Sequence, residues 1–330
     1  MKYRKIFLGL VLGVVLCGLE CGCQSANTNL VIGGVLPMTG DAGTFGQNAA
    51  KGAELAIRVA KGQNLVSKSV ELKVEDSRGL ATEAVSAARK LIDVDHASLL
   101  IGDVTSAGTQ ALIPVITNAK VPLISPAASD PKLSNSSPFF ARVWPSDVYE
   151  ANVIGGYANK QGFKKIAVIY ANTDYGTAMV DQFKKVVPSA GLVISVDRET
   201  LDYRPTIQRI RLSGADALFL VLYPEDASRM LQQLAEQRIV LPMMATATFE
   251  DPKLLASPGA ERVVFASPVP PDANNPQRKK FLEDYKSAFG VDAGVLSDTG
   301  YDAAMILLKA YAAQGPKWFR SGRRICSIST

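Results

Sequence analysis

One rhythm limits what this chain can fold into. From Leu30 to about Ala313, short apolar runs alternate with amphipathic stretches of about a dozen residues. Strand-like runs fall at 30–37, 69–76, 98–103 and 121–125, with helical spacing of apolar residues at 46–62, 81–93 and 106–120. After a polar passage the rhythm resumes, with strands at 164–172, 192–199, 215–223 and 262–269. Helices are expected at 149–162, 175–191, 203–214, 225–237 and 276–290, and from about 296 to 313. Strands that alternate with helices predict parallel sheets covered by helices on both faces.

The rhythm comes in two runs of about 110–120 residues, a usual domain size. The passage between them, "SNSSPFFARVWPSD" (134–147), reads as a crossover. The expected architecture is therefore α/β, with two Rossmann-like lobes of mostly parallel sheet joined by a hinge. Lobe one would take 24–144 and 270–316, and lobe two 145–269, with the last two helices returning to lobe one.

The two ends differ from this body. "MKYRK" followed by the apolar run "IFLGLVLGVVLCGL" and "ECGC" reads as a signal peptide over 1–23. Gly22 before Cys23 fits a bacterial lipoprotein site with lipid on Cys23, whereas Glu20 does not. Lipidation at Cys23 and ordinary cleavage a few residues later both stand. Residues 317–330 break from the helical pattern into a basic stretch without period, and read as an aberrant or disordered tail.

Charge and cysteine exclude whole classes of function. The formal net charge of +5 is misleading, because the leader supplies three cations against Glu20 and the tail four more, leaving the body at −1. No clustered basic surface for nucleic acid is expected from such a body. Residues 24–325 contain no cysteine, so neither an internal disulfide nor a Cys/His zinc site is available. His96 is the single histidine, at a helix end, and no G-x-S-x-G elbow marks a nucleophile. "TGDAGTFG" spaces Gly40, Gly43 and Gly46 as G-x-x-G-x-x-G, which is neither a dinucleotide fingerprint nor a P-loop. It is either a plain turn or a loop that leaves helix N–H groups free at a strand's carboxyl end. No catalytic, cofactor or metal site is expected.

Three loops lie at the same level of the first run. "GDVTSAGT" (102–109) places Thr105 and Ser106 at a helix start, "SPAASDP" (125–131) follows the next strand, and "PSDVYEA" (145–151) opens a helix with Asp147. Taken singly, each is explained by capping and turn chemistry. Taken together they line one sheet edge with hydroxyls and backbone, which suits a small carboxylate. In the second run Tyr175 and Tyr223 each sit between a strand and a helix, and pair as a facing wall or as rim cover.

These stretches carry a resemblance. "IGGVLPMTGDAGTFGQNAAKGAELAI", "DSRGLATEAVSAARKLI", "IGDVTSAGTQALIPV", "VPLISPAASDPKLS", "FFARVWPSD", "KKIAVIYANTDYGTAM" and "GYDAAMILLKA" follow one another in an order that resembles type I periplasmic solute-binding proteins. The likeness is to the leucine/isoleucine/valine-binding family of ABC importers. It implies a clamshell that closes on a small ligand, an amino acid, in the periplasm or at the cell surface. It also implies a monomer that delivers to an ABC permease with its ATPase subunits. By motif, Ser106, Ala127 and Ser129 resemble the positions that hold an α-carboxylate and α-ammonium, and Asp147, Tyr175 and Tyr223 resemble lobe-two positions around the cleft.

Two departures stand out. Family members that bind aliphatic amino acids carry an acid on a later lobe-two loop, whereas "MMATATFED" offers neutral Ala247 and Thr248 there. Either Glu250, Asp251 or Asp147 meets the ammonium, or the ligand is a carboxylate or amide other than a standard amino acid. The family also continues beyond the "YDAA" helix, so the C-terminal part reads as truncated. A ligand-sensing module for a receptor is the rival reading.

Overall fold

The computed structural model describes residues 29–314 apart from 199, 268–271 and 273. The leader with Cys23 and the tail 317–330 lie outside the described residues. The first lobe contains β1 (Leu30–Leu36), α1 (Gly43–Gly62), β2 (Val70–Asp76), α2 (Ala81–Arg89), β3 (Leu99–Gly102), α3 (Ser106–Ala119), β4 (Leu123–Ser125) and β5 (Phe140–Arg142). The second contains α4 (Asp147–Gln161), β6 (Ile166–Ala171), α5 (Asp174–Val186), β7 (Val193–Val196), α6 (Arg204–Ser213), β8 (Ala217–Val221), α7 (Pro224–Glu236), β9 (Met243–Ala245), α8 (Pro252–Leu255) and β10 (Val263–Phe265). Two further helices follow, α9 (Pro276–Phe289) and α10 (Ser297–Gln314).

Each lobe has one five-stranded sheet, in the orders β2-β1-β3-β4-β5 and β10-β9-β8-β6-β7. All strand pairs are parallel, in register from Leu30 opposite Val70 to Ser125 opposite Arg142 in the first sheet. The second sheet pairs in the same way. The two-lobed α/β class expected from the sequence is the class observed. Central strands β1, β3 and β8 are buried along their whole length, which is why they read as unbroken apolar runs. Edge strand β2, "VELKVED", keeps its charges and is only half-buried.

Two strands were not visible in the sequence. β5 lies inside the passage read as a crossover, and β9 inside a segment read as a loop. Each has three residues, too few for any period to show.

Helix α10 returns to the first sheet and packs against α1. Ala53, Ala56 and Ala60 share one core with Ala303, Ala304, Leu307 and Leu308. Small side chains on both helices let the backbones come close. At Gly52 a Cβ would stand 1.9 Å from the Ser297 carbonyl oxygen, so no other residue fits without moving α10. Gly52→Ala should therefore lower stability by about 1–3 kcal/mol through overpacking. A urea titration reads this directly, and a wild-type midpoint would refute the close-crossing account.

Candidate functional site

Because every strand runs the same way, the loops at the strands' carboxyl ends and the helix starts of both lobes meet at one place. A cleft of about 60 Å³ lies there, lined by Phe45, Val104, Thr105, Ser106, Ala127, Ser129 and Trp144 on one side. Glu150, Tyr175, Tyr223, Ala247 and Thr248 line the other, with Val295 and Leu296 at an end. One water needs about 10–15 Å³ in this measure, so the space suits one small molecule.

The lobe-one wall is built by a stitched pair of loops. Thr105 caps α3, its hydroxyl accepting from the Gly108 N–H at 3.2 Å. Asp103 holds Thr105 in turn, its carboxylate accepting from the Thr105 N–H at 2.8 Å and the Thr105 hydroxyl at 3.1 Å. The Ser125 hydroxyl donates to the Asp103 carbonyl at 2.6 Å and accepts from the Ala128 N–H at 2.9 Å. The Ser106 hydroxyl accepts from the Asp130 N–H at 3.2 Å. Its own proton has no partner among these bonds and is available to a ligand.

Arg142, on β5, braces the 125–131 loop. Its guanidinium donates to the carbonyls of Asp130 at 2.9 Å and Ala128 at 3.3 Å, and to the Ser134 hydroxyl at 2.8 Å. The Asp147 N–H donates to the Ser129 carbonyl at 2.9 Å, tying the start of α4 to the same loop. "TGDAGTFG" forms the turn after β1 and the first residues of α1. A Cβ on Gly46, in the first turn of α1, would stand 1.9 Å from the Pro37 carbonyl oxygen, and this close approach of the helix start to the end of β1 brings Phe45 to the cleft.

The lobe-two wall carries a chain of hydroxyls with one direction. Thr248 donates to the Leu222 carbonyl at 2.8 Å, and a carbonyl can only accept. Thr248 must therefore accept from Thr246 at 2.9 Å, and Thr246 from the Tyr175 hydroxyl at 2.8 Å. The Tyr175 proton is thereby committed, so toward the cleft this hydroxyl offers lone pairs only. The Tyr223 ring stands 5.9 Å from that of Tyr175, tilted by 48°, as the second half of the wall.

The acid in the cleft is Glu150. Its Oε1 accepts from the Ala247 N–H at 2.6 Å, which joins α4 to the turn after β9. Burial pushes the Glu150 carboxyl up to about 8; the neighbouring Asp147 and Glu250 add to this, and the Ala247 N–H opposes it. Burial likewise raises Asp147 to about 7 and Asp103 to about 6.

Of the seven residues singled out from the sequence, Ser106, Ala127, Ser129, Tyr175 and Tyr223 line the cleft. Asp147 and Glu250 lie outside this lining. Asp147 is fully buried, and that burial raises its pKa against the opposing pull of the Ser129 hydroxyl and Arg142. Glu250 lies half-buried near Ser267, beyond the turn that brings Ala247 and Thr248 in. Asp251 caps α8, accepting from the Leu254 N–H at 3.2 Å, and lines a different surface pocket. Glu150 was missed, although it lies one helical turn from Asp147, on the same face of α4. His96 is exposed, as a helix-end residue should be. Among the described residues no group of His, Cys, Asp and Glu is placed to hold a metal ion.

The raised acids give stability a definite pH dependence. A carboxyl whose folded pKa lies above its unfolded value binds more protons when folded. Its favourable contribution is complete below the unfolded pKa, near 4, and is lost as pH rises through the folded value. For Glu150 and Asp147 that window runs from about pH 4 to about 7–8. The ligand-free protein should be more stable at pH 5 than at pH 8. Glu150→Gln should flatten the profile by up to about 1.4 kcal/mol per pH unit. Urea midpoints across this range test it, and an unchanged slope in the variant would remove Glu150 as the cause.

A family model described as periplasmic binding protein matches residues 29–320. A Leu/Ile/Val-binding protein homologue from Brucella melitensis is 28% identical over 228 residues, covering 66% of this chain and 62% of the relative. The match thus spans less than two thirds of that relative's length. An amino acid binding protein from Pseudomonas aeruginosa is 28% identical over 273 residues, 79% of this chain and 71% of its own length. The crystal structure of a leucine-binding protein from Thermotoga maritima superposes with a TM-score of 0.78 at 27% identity, covering 89% of this chain and 86% of that one. A solute-binding protein from R. palustris in complex with benzoate shares the fold, with a TM-score of 0.82 at 20% identity and coverage of 92% and 87%.

Proposed function

The chain belongs to the periplasmic binding protein family, and from that premise we propose that it captures a small zwitterionic amino acid by closure of its two lobes. The observation that carries this reading is the opposite polarity of the two walls. Lobe one presents the free proton of Ser106 at the N-terminus of α3, where helix N–H groups favour a carboxylate. Lobe two presents lone pairs, from Tyr175 with its proton committed and from Glu150. A carboxylate facing lobe one and an ammonium facing lobe two satisfy both. Phe45, Val104, Val295 and Leu296 supply an apolar surface for the rest of the ligand.

In this mechanism the polar groups of lobe one dock the ligand, and closure adds the contacts of lobe two. A ligand shifts the lobes toward closure only by its greater affinity for the closed form. Glu150 takes the part of the acid where the turn after β9 brings only neutral Ala247 and Thr248 to the cleft. An ammonium beside it offsets the burial that raises its pKa, so binding releases a proton at neutral pH. The relatives named for amino acids support this choice of ligand. The benzoate complex of the same fold supports a second reading, a carboxylate without an amine held beside a protonated Glu150.

The chain would act as the substrate-binding component of an ABC importer, working as a monomer with a separate permease and ATPase subunits. Export through the leader would place it in the periplasm or, with lipid on Cys23, at the membrane surface.

Affinity for L-leucine should rise between pH 6 and pH 8 as Glu150 ionises, by at most about tenfold per pH unit. Glu150→Gln should weaken it about 100-fold or more, because the ammonium is left buried without its counter-charge. Isothermal titration measures both. A variant that binds leucine as well as the wild type would show that the ammonium is met elsewhere.

A further inference from the structure

The chain passes between the lobes beside β5 in the first sheet, and β10 is the strand nearest the second crossing. These are edge strands. The opposite edges are β2 and β7, each four strands away. At about 4.8 Å per strand, the far edges lie roughly 19 Å from the hinge edges.

The loops at those far edges meet across the cleft. Gly79 follows the edge strand β2 and Asp41 follows β1, one strand in from that edge, in lobe one, while Arg198 follows the edge strand β7, in lobe two. The Arg198 guanidinium donates to Asp41 through Nε at 2.6 Å and also through Nη2, and reaches the Gly79 carbonyl through Nη1 at 3.3 Å. The Asp41 side chain is 3% exposed and that of Arg198 21%, so water screens the pair little. Opening the hinge by roughly 20° would separate these groups by about 7 Å over such an arm, beyond any hydrogen bond. The bidentate pair therefore belongs to the closed form alone.

The same guanidinium lies 5.8 Å from the centroid of the Tyr223 ring, a cation–π distance. Tyr223 lines the ligand cleft against Tyr175. Closure and the placing of the aromatic wall are thus made by one side chain.

We propose that Arg198 and Asp41 form a latch that holds the lobes of the ligand-free protein together, and that Arg198 is a positioning residue for Tyr223. This rests on the hinge-closure reading but not on the choice of ligand. A ligand that needs the closed form binds in proportion to the closed fraction, so the latch also raises affinity. Neither residue needs to touch the ligand for this.

The test compares the wild type with Asp41→Asn, Arg198→Gln and the double variant. Small-angle X-ray scattering of the ligand-free proteins gives the radius of gyration, and calorimetry gives the affinity for L-leucine. Both single variants should be more extended than the wild type, and the double variant no more extended than Arg198→Gln, because the guanidinium carries the contacts to Asp41 and to Gly79 alike. Leucine affinity should fall roughly 5- to 150-fold, the usual range for coupled equilibria. If Arg198→Gln does not fold, Asp41→Asn, which changes one atom, decides alone. Wild-type radii of gyration in the folded variants overturn the latch whatever leucine does. Failure of the wild type to bind leucine would overturn the amino-acid reading and leave the scattering comparison intact.

Discussion

Everything the cleft offers follows from the parallel direction of the strands among the described residues. Parallel strands require a crossover connection, here an α-helix after most strands and an irregular segment between β4 and β5, so strand ends and helix starts gather on one side of each sheet. With the carboxyl ends of two such sheets at one place, the cleft collects the starts of α3 and α5 together with Glu150 on α4. Helix starts bring unpaired N–H groups and capping hydroxyls, which recognise anions. A sheet with alternating strand directions would have spread the same residues over two edges.

On this frame the two walls differ because their hydroxyl protons are spent differently. The Tyr175–Thr246–Thr248 chain ends on a carbonyl, which fixes the direction of every donor in it. On the other side, Ser106 and Ser125 accept from backbone N–H groups, Ser125 gives its proton to Asp103, and Ser106 keeps its own. Arg142 and Asp103, neither of them in the cleft lining, hold these groups in place. The ligand proposed for this cleft, with charges of both signs, would complement the two walls. The Arg198–Asp41 pair lies at the far edge of the same two sheets, where closure is mechanically most sensitive.

Much of this was legible because buried parallel strands leave a plain trace. β1 and β8 appear as apolar runs, and the loops after β3 and β4 appear as clusters of Ser, Thr and Pro between a strand and a helix. β5 and β9 left no trace, since their pairing comes from neighbours and not from their own three residues. Glu150 was hidden for a related reason. A glutamate in the first turn of a helix is ordinary dipole chemistry, and only the turn after β9, which delivers the Ala247 N–H, makes it a cleft residue. Asp147 misled in the opposite sense, because its position in the motif pointed inward while the fold buries it beside Ser129. The spacing between Asp147 and Glu150 was the available signal that α4 carries two acids on one face.

In the proposed function the cleft reads a carboxylate and an ammonium together. The most direct measurement is a calorimetric titration of the purified chain with L-leucine and, separately, with 4-methylpentanoate, which has the same carbon skeleton and carboxylate but no amine. The account predicts that leucine binds with release of a proton at pH 7, and that the deaminated acid binds far more weakly. Equal or tighter binding of the acid without its amine would contradict the account, and would make this cleft a receptor for simple carboxylates with Glu150 as a neutral donor.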